Sequence, residues 1–290
     1  MHLMLTACLL AGQQAWAEEP LLIHYPRVDS IDGEHGEYGL ALLKLALAKA
    51  GGHYRVEQSD TRMQQNRALV ELQSDSHRID IVGTMTSPER EASLLPVRIP
   101  LTRGLIGWRI GMLRADRKEL FNGVRSVEDL RKFAAGQGED WPDVQILRQN
   151  GIRVETVTVY STLFNLLNAG LLDWVPRSVN EIWAEAAHHP ELAIDPYVAV
   201  HYVTADYFFV NKKNTALAEE VRRGLEKALA DGSFEQLFQL HYGPLIRQAR
   251  LDHRVVIELP NSSLTPETPL QRKELWFAPQ HVKAHQEALP

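Results

Sequence analysis

One cysteine, Cys8, lies close to the start of a 290-residue chain, so the remaining sequence has neither thiol chemistry nor a disulfide. Positive charge is also scarce. Lys and Arg number 31 against 37 Asp and Glu, a formal net charge of -6, which is the wrong sign for a general nucleic-acid coat protein. No apolar run reaches the roughly 18–20 residues that span a bilayer. G-x-S-x-G, a phosphate-binding loop and H-E-x-x-H are missing too, and the twelve histidines show no paired ligand spacing. Neither a metal site nor a cofactor is therefore expected. No repeat of fixed period and no low-complexity tract precedes the C-terminal tail.

The remaining composition is that of a globular protein: 44% hydrophobic and 23% charged residues argue against a disordered or fibrous chain. Residues 3–11 form a short apolar core, followed by Ala15-Trp16-Ala17 and the acidic pair Glu18-Glu19. Small residues at the -3 and -1 positions of a cut after Ala17 give this segment the layout of a secretory signal, although no Lys or Arg precedes its core. Leu5-Thr6-Ala7-Cys8 resembles a lipoprotein box, but almost no apolar core precedes it. A frayed apolar N-terminus is the alternative. Cleavage after Ala17 predicts a soluble, cysteine-free mature protein in the periplasm.

The chain reads as strands alternating with helices. Leu21–Tyr25 is a short apolar strand; Leu40, Leu43, Leu47 and Ala50 mark a helix from Gly39 to Ala50, stopped by Gly51-Gly52. Strand Tyr54–Gln58, helix Asn66–Leu72 and strand Ile79–Val82 follow, an order that points to a parallel sheet with crossover helices. A second set comprises helix Val127–Phe133 capped by Ser126, strand Phe133–Gly136, helix Val144–Asn150, strand Val154–Val159, helix Leu163–Asn168, strand Leu171–Val175, helix Val179–Ala187 and strand Ala193-Ile194. Two apolar runs, Leu105–Leu113 and Tyr197–Val210, separate the sets, and helices Ala216–Ala230 and Phe234–His241 follow. Pro260, Pro266, Pro269 and Pro279 punctuate an extended, surface-bound or partly mobile tail.

The expected fold class is α/β, with two lobes on parallel-core sheets joined by a two-strand hinge. Residues 18–109 and 205–243 form one lobe, 110–204 the other, and 244–290 an extension. Ligands of open α/β sheets sit beyond the carboxyl ends of strands, and two such edges facing one another predict capture of a small solute by closure.

The order of these elements, with Ile79-Asp80-Ile81-Val82-Gly83, Thr86-Ser87-Pro88-Glu89-Arg90, Val127-Glu128-Asp129-Leu130, Asn168-Ala169-Gly170 before Leu172-Asp173, and Ala230-Asp231-Gly232-Ser233-Phe234, resembles the extracytoplasmic solute-binding proteins of the polar amino-acid class (family 3) over about residues 20–243. The resemblance implies a type II periplasmic-binding-protein fold and non-covalent capture of a small anionic or zwitterionic ligand for an ABC importer. The protein is expected to act as a monomer without catalysis and without nucleic acid.

Carried over by position, Arg90 matches the arginine that forks onto a ligand α-carboxylate, a geometry suited to a planar guanidinium. Thr86 and Ser87 precede it at a helix start, where free backbone N–H groups favour anions. An exposed arginine paired with Glu89 or Glu91 is the competing reading. In the second lobe, the position at which the family carries an acidic anchor for the ligand ammonium falls near Arg177 and Ser178. If Arg177 faces the cleft, two cations converge and favour an acidic ligand; paired with Glu181, it is structural. Gln137 and Gly138 lie where the family has a ligand-touching turn, or form a plain turn. Tyr25, Arg27 and Arg103 are further cleft candidates, and Trp174 is either a neighbour of the site or a core residue. Two other functions remain open: a sensory module docking on a membrane receptor, for which the tail around Trp276-Phe277 is a handle, and an enzyme resembling cyclohexadienyl dehydratases, for which Glu181 or Asp173 would be the acid.

Overall fold

The computed structural model describes residues 19–28 and 37–279. The expected signal segment with its Ala17 cut and Cys8, and residues 280–290 of the extension, lie outside the described residues. The first lobe starts with strand β1 (Leu21–Val28), helix α1 (Glu37–Ala50), strand β2 (Tyr54–Met63), helix α2 (Gln65–Gln73), strand β3 (Ile81–Met85), helix α3 (Pro88–Ser93) and strand β4 (Leu95–Val97). The second contains β5 (Trp108–Arg114), α4 (Val127–Leu130), β6 (Ala135–Gly138), α5 (Asp143–Gln149), β7 (Val154–Val157), α6 (Tyr160–Asn168), β8 (Val175–Ser178), α7 (Ile182–His188), β9 (Leu192–Ile194) and β10 (Val198–His201). The chain returns to the first lobe as β11 (Asp206–Val210), α8 (Thr215–Ala230) and α9 (Ser233–Ala249), then crosses again to form β12 (Val255–Glu258).

In the first lobe β1 and β2 are parallel, while β11 runs antiparallel between β3 and β4. The Asp80 amide donates to the His24 carbonyl at 3.0 Å, which sets β3 beside β1. In the second lobe the order is β12-β10-β5-β8, with β9 also on β5. The parallel pair β6-β7 continues this layer through an Ala135–Trp174 bridge. The carboxyl ends of β1, β3, β6 and β8 all point into the gap between the lobes, where the cavity described below opens.

Helix α1 follows the apolar stripe anticipated from sequence. Leu42, Leu43, Ala46 and Leu47 are buried, and Gly51, at φ 88°, ends the helix in the left-handed region open to glycine. Its partner is α8, and the two approach so closely that a Cβ at Gly224 would sit 1.8 Å from the Ala46 carbonyl oxygen. Helix α3 begins with Ser87, whose hydroxyl accepts the Arg90 N–H at 3.2 Å, and Pro88 occupies the first turn.

Several bounds differ from the sequence reading, and two of the differences bear on the site. The strand expected at Leu171–Val175 instead forms at Val175–Ser178, because the Asp173 and Trp174 amides both donate to the Ala134 carbonyl and turn the chain before pairing with β5 begins. Arg177 and Ser178 are therefore strand residues. The last helix, expected to stop at His241, runs on through Pro244 to Ala249. Pro244 removes the N–H that would reach the Leu240 carbonyl, and Leu240 is 73% exposed, so water can serve that oxygen.

Candidate functional site

A cavity of about 200 Å³ lies between the lobes. That is below the ~300–1,000 Å³ of sites for drug-sized ligands and suits a small solute. The first lobe lines it with Tyr25 at the end of β1, Tyr38 at the start of α1, Gln65 of α2, Thr84 and Met85 of β3, Asp206 of β11 and Tyr242 of α9. The second contributes Arg109 of β5, Asp140, Trp141 and Asp143 after β6, Tyr160 of α6, Arg177 of β8, and Glu181.

Arg90 stands behind the first-lobe wall, 8% exposed. Its Nη1 donates to Thr84 Oγ1 (2.9 Å) and to the Met85 carbonyl (2.7 Å). Nη2 donates to Gln65 Oε1 (2.6 Å) and, across the cleft, to the Asp140 carbonyl (3.0 Å). All four acceptors are neutral oxygens, and three of the four residues line the cavity from one lobe and the fourth from the other. Burial pulls the guanidinium pKa down to about 10, partly opposed by Asp140, Asp143 and Glu89, so it is still a cation at neutral pH. Asp206, 6% exposed, accepts the Thr102 N–H (3.1 Å) and hydroxyl (2.8 Å) on Oδ1. Burial raises its carboxyl pKa above the usual range, and the Thr102 hydrogen bonds offset only part of this.

The second lobe is arranged differently, because its cations arrive with their own carboxylates. Arg177 Nε donates to Glu185 Oε2 at 2.7 Å and Nη2 to Oε1 at 2.6 Å, a closed fork between side chains that are 3% and 1% exposed. Nη2 also lies 3.1 Å from Glu181 Oε2, and the guanidinium sits 4.7 Å over the Trp141 ring. Arg109 pairs with Asp143 at 2.7 Å, lies 3.4 Å from Glu181 and donates to the Tyr202 hydroxyl at 2.9 Å. Burial alone would lower the pKa of both arginines, but the adjoining carboxylates raise them above the ordinary value. Glu181 thus bridges two arginines, and its Oε2 also accepts the Ser178 N–H at 3.1 Å.

Of the residues singled out from sequence, Tyr25, Gly138 and Arg177 line the cavity, and Arg90 touches four of its lining residues. Each of the two readings of Arg177 holds in part: it lines the cleft, and it is paired with Glu181 and more tightly with Glu185, so it is not a free cation there. Thr86 donates to Glu91 (2.6 Å) and Ser87 caps α3, both one step behind the wall. Ser178 donates to the Leu105 carbonyl (3.3 Å) while Asn180 and Glu181 reach the cavity beyond it. Gln137 is fully buried off the lining, and neither atom of its amide has a hydrogen-bond partner among the described residues. Arg103 points away, pairing with Glu235, donating to the Glu274 carbonyl and lying over Phe238. Trp174 is core, edge-on to Phe121 at 5.3 Å. Arg27 is exposed. Of the two acids named for a dehydratase, Asp173 is held outside the cavity by Arg117 and the Ala134 N–H, while Glu181 is inside.

Sequence reasoning missed Arg109, Asp143, Asp206, Tyr38 and Tyr242. For the first and third a signal existed: each is a charged residue within a long apolar run, Leu105–Leu113 or Tyr197–Val210, and such a residue is buried at a cost unless something answers it.

No protein-family model matches the sequence, and no curated protein matches it. Solved structures do. An ancestral arginine-binding protein bound to arginine is 19% identical with a TM-score of 0.59, covering 78% of this chain and 100% of its own. A Salmonella typhimurium periplasmic binding protein described for high arginine specificity is 17% identical with a TM-score of 0.58, covering 77% and 99%. The GluR0 ligand-binding core from Nostoc punctiforme, in complex with L-glutamate, is 16% identical with a TM-score of 0.54, covering 78% and 100%. This chain has the two-lobed fold of the type II periplasmic binding proteins.

Proposed function

We propose that the protein is a periplasmic solute-binding protein that captures a small polar, carboxylate-bearing ligand by hinge closure and delivers it to an ABC importer. The observation that carries this reading is Arg90, a buried cation whose four contacts are neutral oxygens. A ligand carboxylate replacing Gln65 Oε1 and the Asp140 carbonyl gives Nη2 an anionic acceptor in place of two neutral ones. The ligand docks first on the lobe carrying Arg90, and the second lobe then closes through Trp141 and the Asp140 loop. The structural neighbours named for arginine and L-glutamate support a solute of amino-acid size, and the apolar N-terminal segment supports export.

A thermal-shift screen of the mature chain against amino acids, dicarboxylates and small peptides tests the reading. A ligand at 100 times its Kd adds about 2.7 kcal/mol of stability. Arg90→Ala is expected to weaken the ligand found by about 2–5 kcal/mol. A loss below tenfold would show that Arg90 is not the carboxylate anchor. Prephenate and arogenate belong in the same screen, since release of an aromatic product would favour the dehydratase alternative.

A further inference from the structure

The two lobes treat charge differently, and the difference locates a second ligand group. Among the acidic side chains lining the cavity, Asp140 is exposed at its rim, Asp143 is paired with Arg109, and Glu181 sits between Arg109 and Arg177. Asp206 is different. It is nine-tenths buried and lines the cavity, but it has no Lys, Arg or His in contact among the described residues. Its partners are the Thr102 amide and hydroxyl, both on Oδ1, and the charge that bears on it is another carboxylate, Glu181. Three tyrosines share this corner of the cavity: Tyr25, Tyr38 and Tyr242. The Tyr38 hydroxyl donates to the Leu101 carbonyl at 2.7 Å, so its lone pairs are left to accept. The Tyr242 hydroxyl has no hydrogen-bond partner among the described residues, and the Tyr38 and Tyr242 rings lie 4.6 Å apart.

We propose that Asp206, with Tyr25, Tyr38 and Tyr242 around it, is a cation subsite that takes an ammonium or guanidinium nitrogen of the ligand. The inference rests on the preceding reading, that the cleft binds a small solute, and adds that the solute carries a positive group as well as a carboxylate. A buried carboxylate with no cation is costly, and a ligand cation offsets that cost while aromatic faces and hydroxyl lone pairs complete its shell. The position is also suitable. Asp206 is the cross-strand partner of Met85, whose carbonyl accepts from Arg90. Asp206 on β11 and Arg90, held by the Met85 carbonyl of β3, are therefore both tied to one strand pair of the first lobe. Ser178, at the position where an acidic anchor was expected, bonds instead to the Leu105 carbonyl.

The test is titration calorimetry on the mature full chain, comparing wild type with Asp206→Asn and Tyr242→Phe. The probes are L-arginine, L-glutamine and L-glutamate, the 2-hydroxy-acid counterparts of the last two, glutarate, and putrescine. Amino compounds are expected to bind, and replacing the amine by hydroxyl to weaken binding at least about thirtyfold, as for removal of one member of a buried charged pair. Asp206→Asn is expected to lose a similar factor and to stop distinguishing amine from hydroxyl, while melting no lower than wild type in the absence of ligand. Should Asp206→Asn fail to fold, Tyr242→Phe, expected to lose about threefold or more, carries the test. Hydroxy acids or glutarate binding wild type as well as the amino acids do would overturn the cation subsite and leave solute capture standing. Putrescine binding alone would keep the subsite and sink the carboxylate reading. Absence of binding by every probe overturns both.

Discussion

Arg177 separates a structural cation from a ligand-binding one, and its removal gives a measurable answer. In the folded protein its guanidinium forks onto Glu185 at 2.7 and 2.6 Å, with a further contact of 3.1 Å to Glu181 and the Trp141 ring 4.7 Å away. Both members of the fork are at most 3% exposed, so water cannot take over when one is deleted. Arg177→Ala takes the fork from a buried carboxylate, and breaking a buried pair in this way costs about 3–5 kcal/mol. For a protein of this size each kcal/mol moves Tm by roughly 2–4 °C, so a fall of about 6–20 °C is expected in ligand-free unfolding. Adding Glu185→Leu to an Arg177→Met background removes both charges and keeps volume in place, and it should recover most of that loss, because a well-packed apolar substitute for a buried pair is often neutral. The coupling between the two sites, read from the double-mutant cycle, isolates the pair itself. The refuting result is an Arg177→Ala protein that unfolds within about 0.5 kcal/mol of wild type, the range of an ordinary surface substitution, yet no longer binds ligand. Arg177 would then be held for the ligand rather than for the fold.

Two stability predictions follow from geometry away from the cleft. Gly224→Ala places a methyl 1.8 Å from the Ala46 carbonyl oxygen and 2.5 Å from its carbon, so α1 and α8 must separate, and a loss of about 1–3 kcal/mol is expected by denaturant unfolding. Gly243→Ala in α9 meets only the tips of the Gln239 and Arg247 side chains, and a gain of up to about 1 kcal/mol from helix propensity is expected instead; equal effects at the two sites would refute the helix-contact argument. Asp195, fully buried and accepting the Val198 N–H at 2.7 Å, has its carboxyl pushed by burial from 3.8 up to about 6. Because the folded-state pKa is the higher one, its contribution to stability is fully present below about pH 4 and is lost as pH rises through about 6, on the order of 3 kcal/mol in all. Asp195→Asn should therefore flatten the pH dependence of unfolding across that window, and an unchanged slope would show that the carboxyl titrates normally.

The sequence carried the framework because local signals agree with the fold. The α1 stripe, its Gly51 stop, and the Ser87-Pro88 start of α3 each state a backbone conformation and a buried face within a few residues. Arg90 was singled out by the family resemblance of the Thr86-Ser87-Pro88-Glu89-Arg90 motif, and α3 rotates it back onto the end of β3, against Thr84 and Met85. The charge balance of the cleft was not legible, since it depends on which carboxylate arrives from another element. Arg177 was weighed against Glu181 at helical spacing, whereas the tighter partner is Glu185, delivered from α7 once β8 has shifted by four residues relative to the expected strand. Arg103 reads as a residue before the crossover, but its backbone sits at φ 54° and turns the side chain to α9 and the tail. Asp206 was hidden in the run Tyr197–Val210, where hydropathy reports a buried strand and not the tyrosines that surround one of its positions.

Under the proposed function, these differences assign the ligand's charges to the first lobe. In the second lobe Arg109 and Arg177 are neutralised by Asp143, Glu181 and Glu185 whether or not a solute is present, so that lobe closes as an electrically satisfied wall carrying Trp141. In the first lobe Arg90 is met by neutral oxygens and Asp206 by a hydroxyl and an amide, so each has unspent electrostatic attraction for an opposite charge. The Arg90 bond to the Asp140 carbonyl crosses the gap between the lobes, and under the proposed function a charged guest would replace it with a stronger one. The C-terminal segment also ties the two lobes together. After β12 joins β10 in the second lobe, Thr265 bonds Glu91, Arg272 forks onto Glu226 and the Phe277 amide reaches the Arg103 carbonyl, all in the first. The segment is thus held on both lobes, with Pro260, Ser262 and Ser263 bonded to Asn150 and Gln149 in the second, and only the short step from Ser263 to Thr265 passes between them.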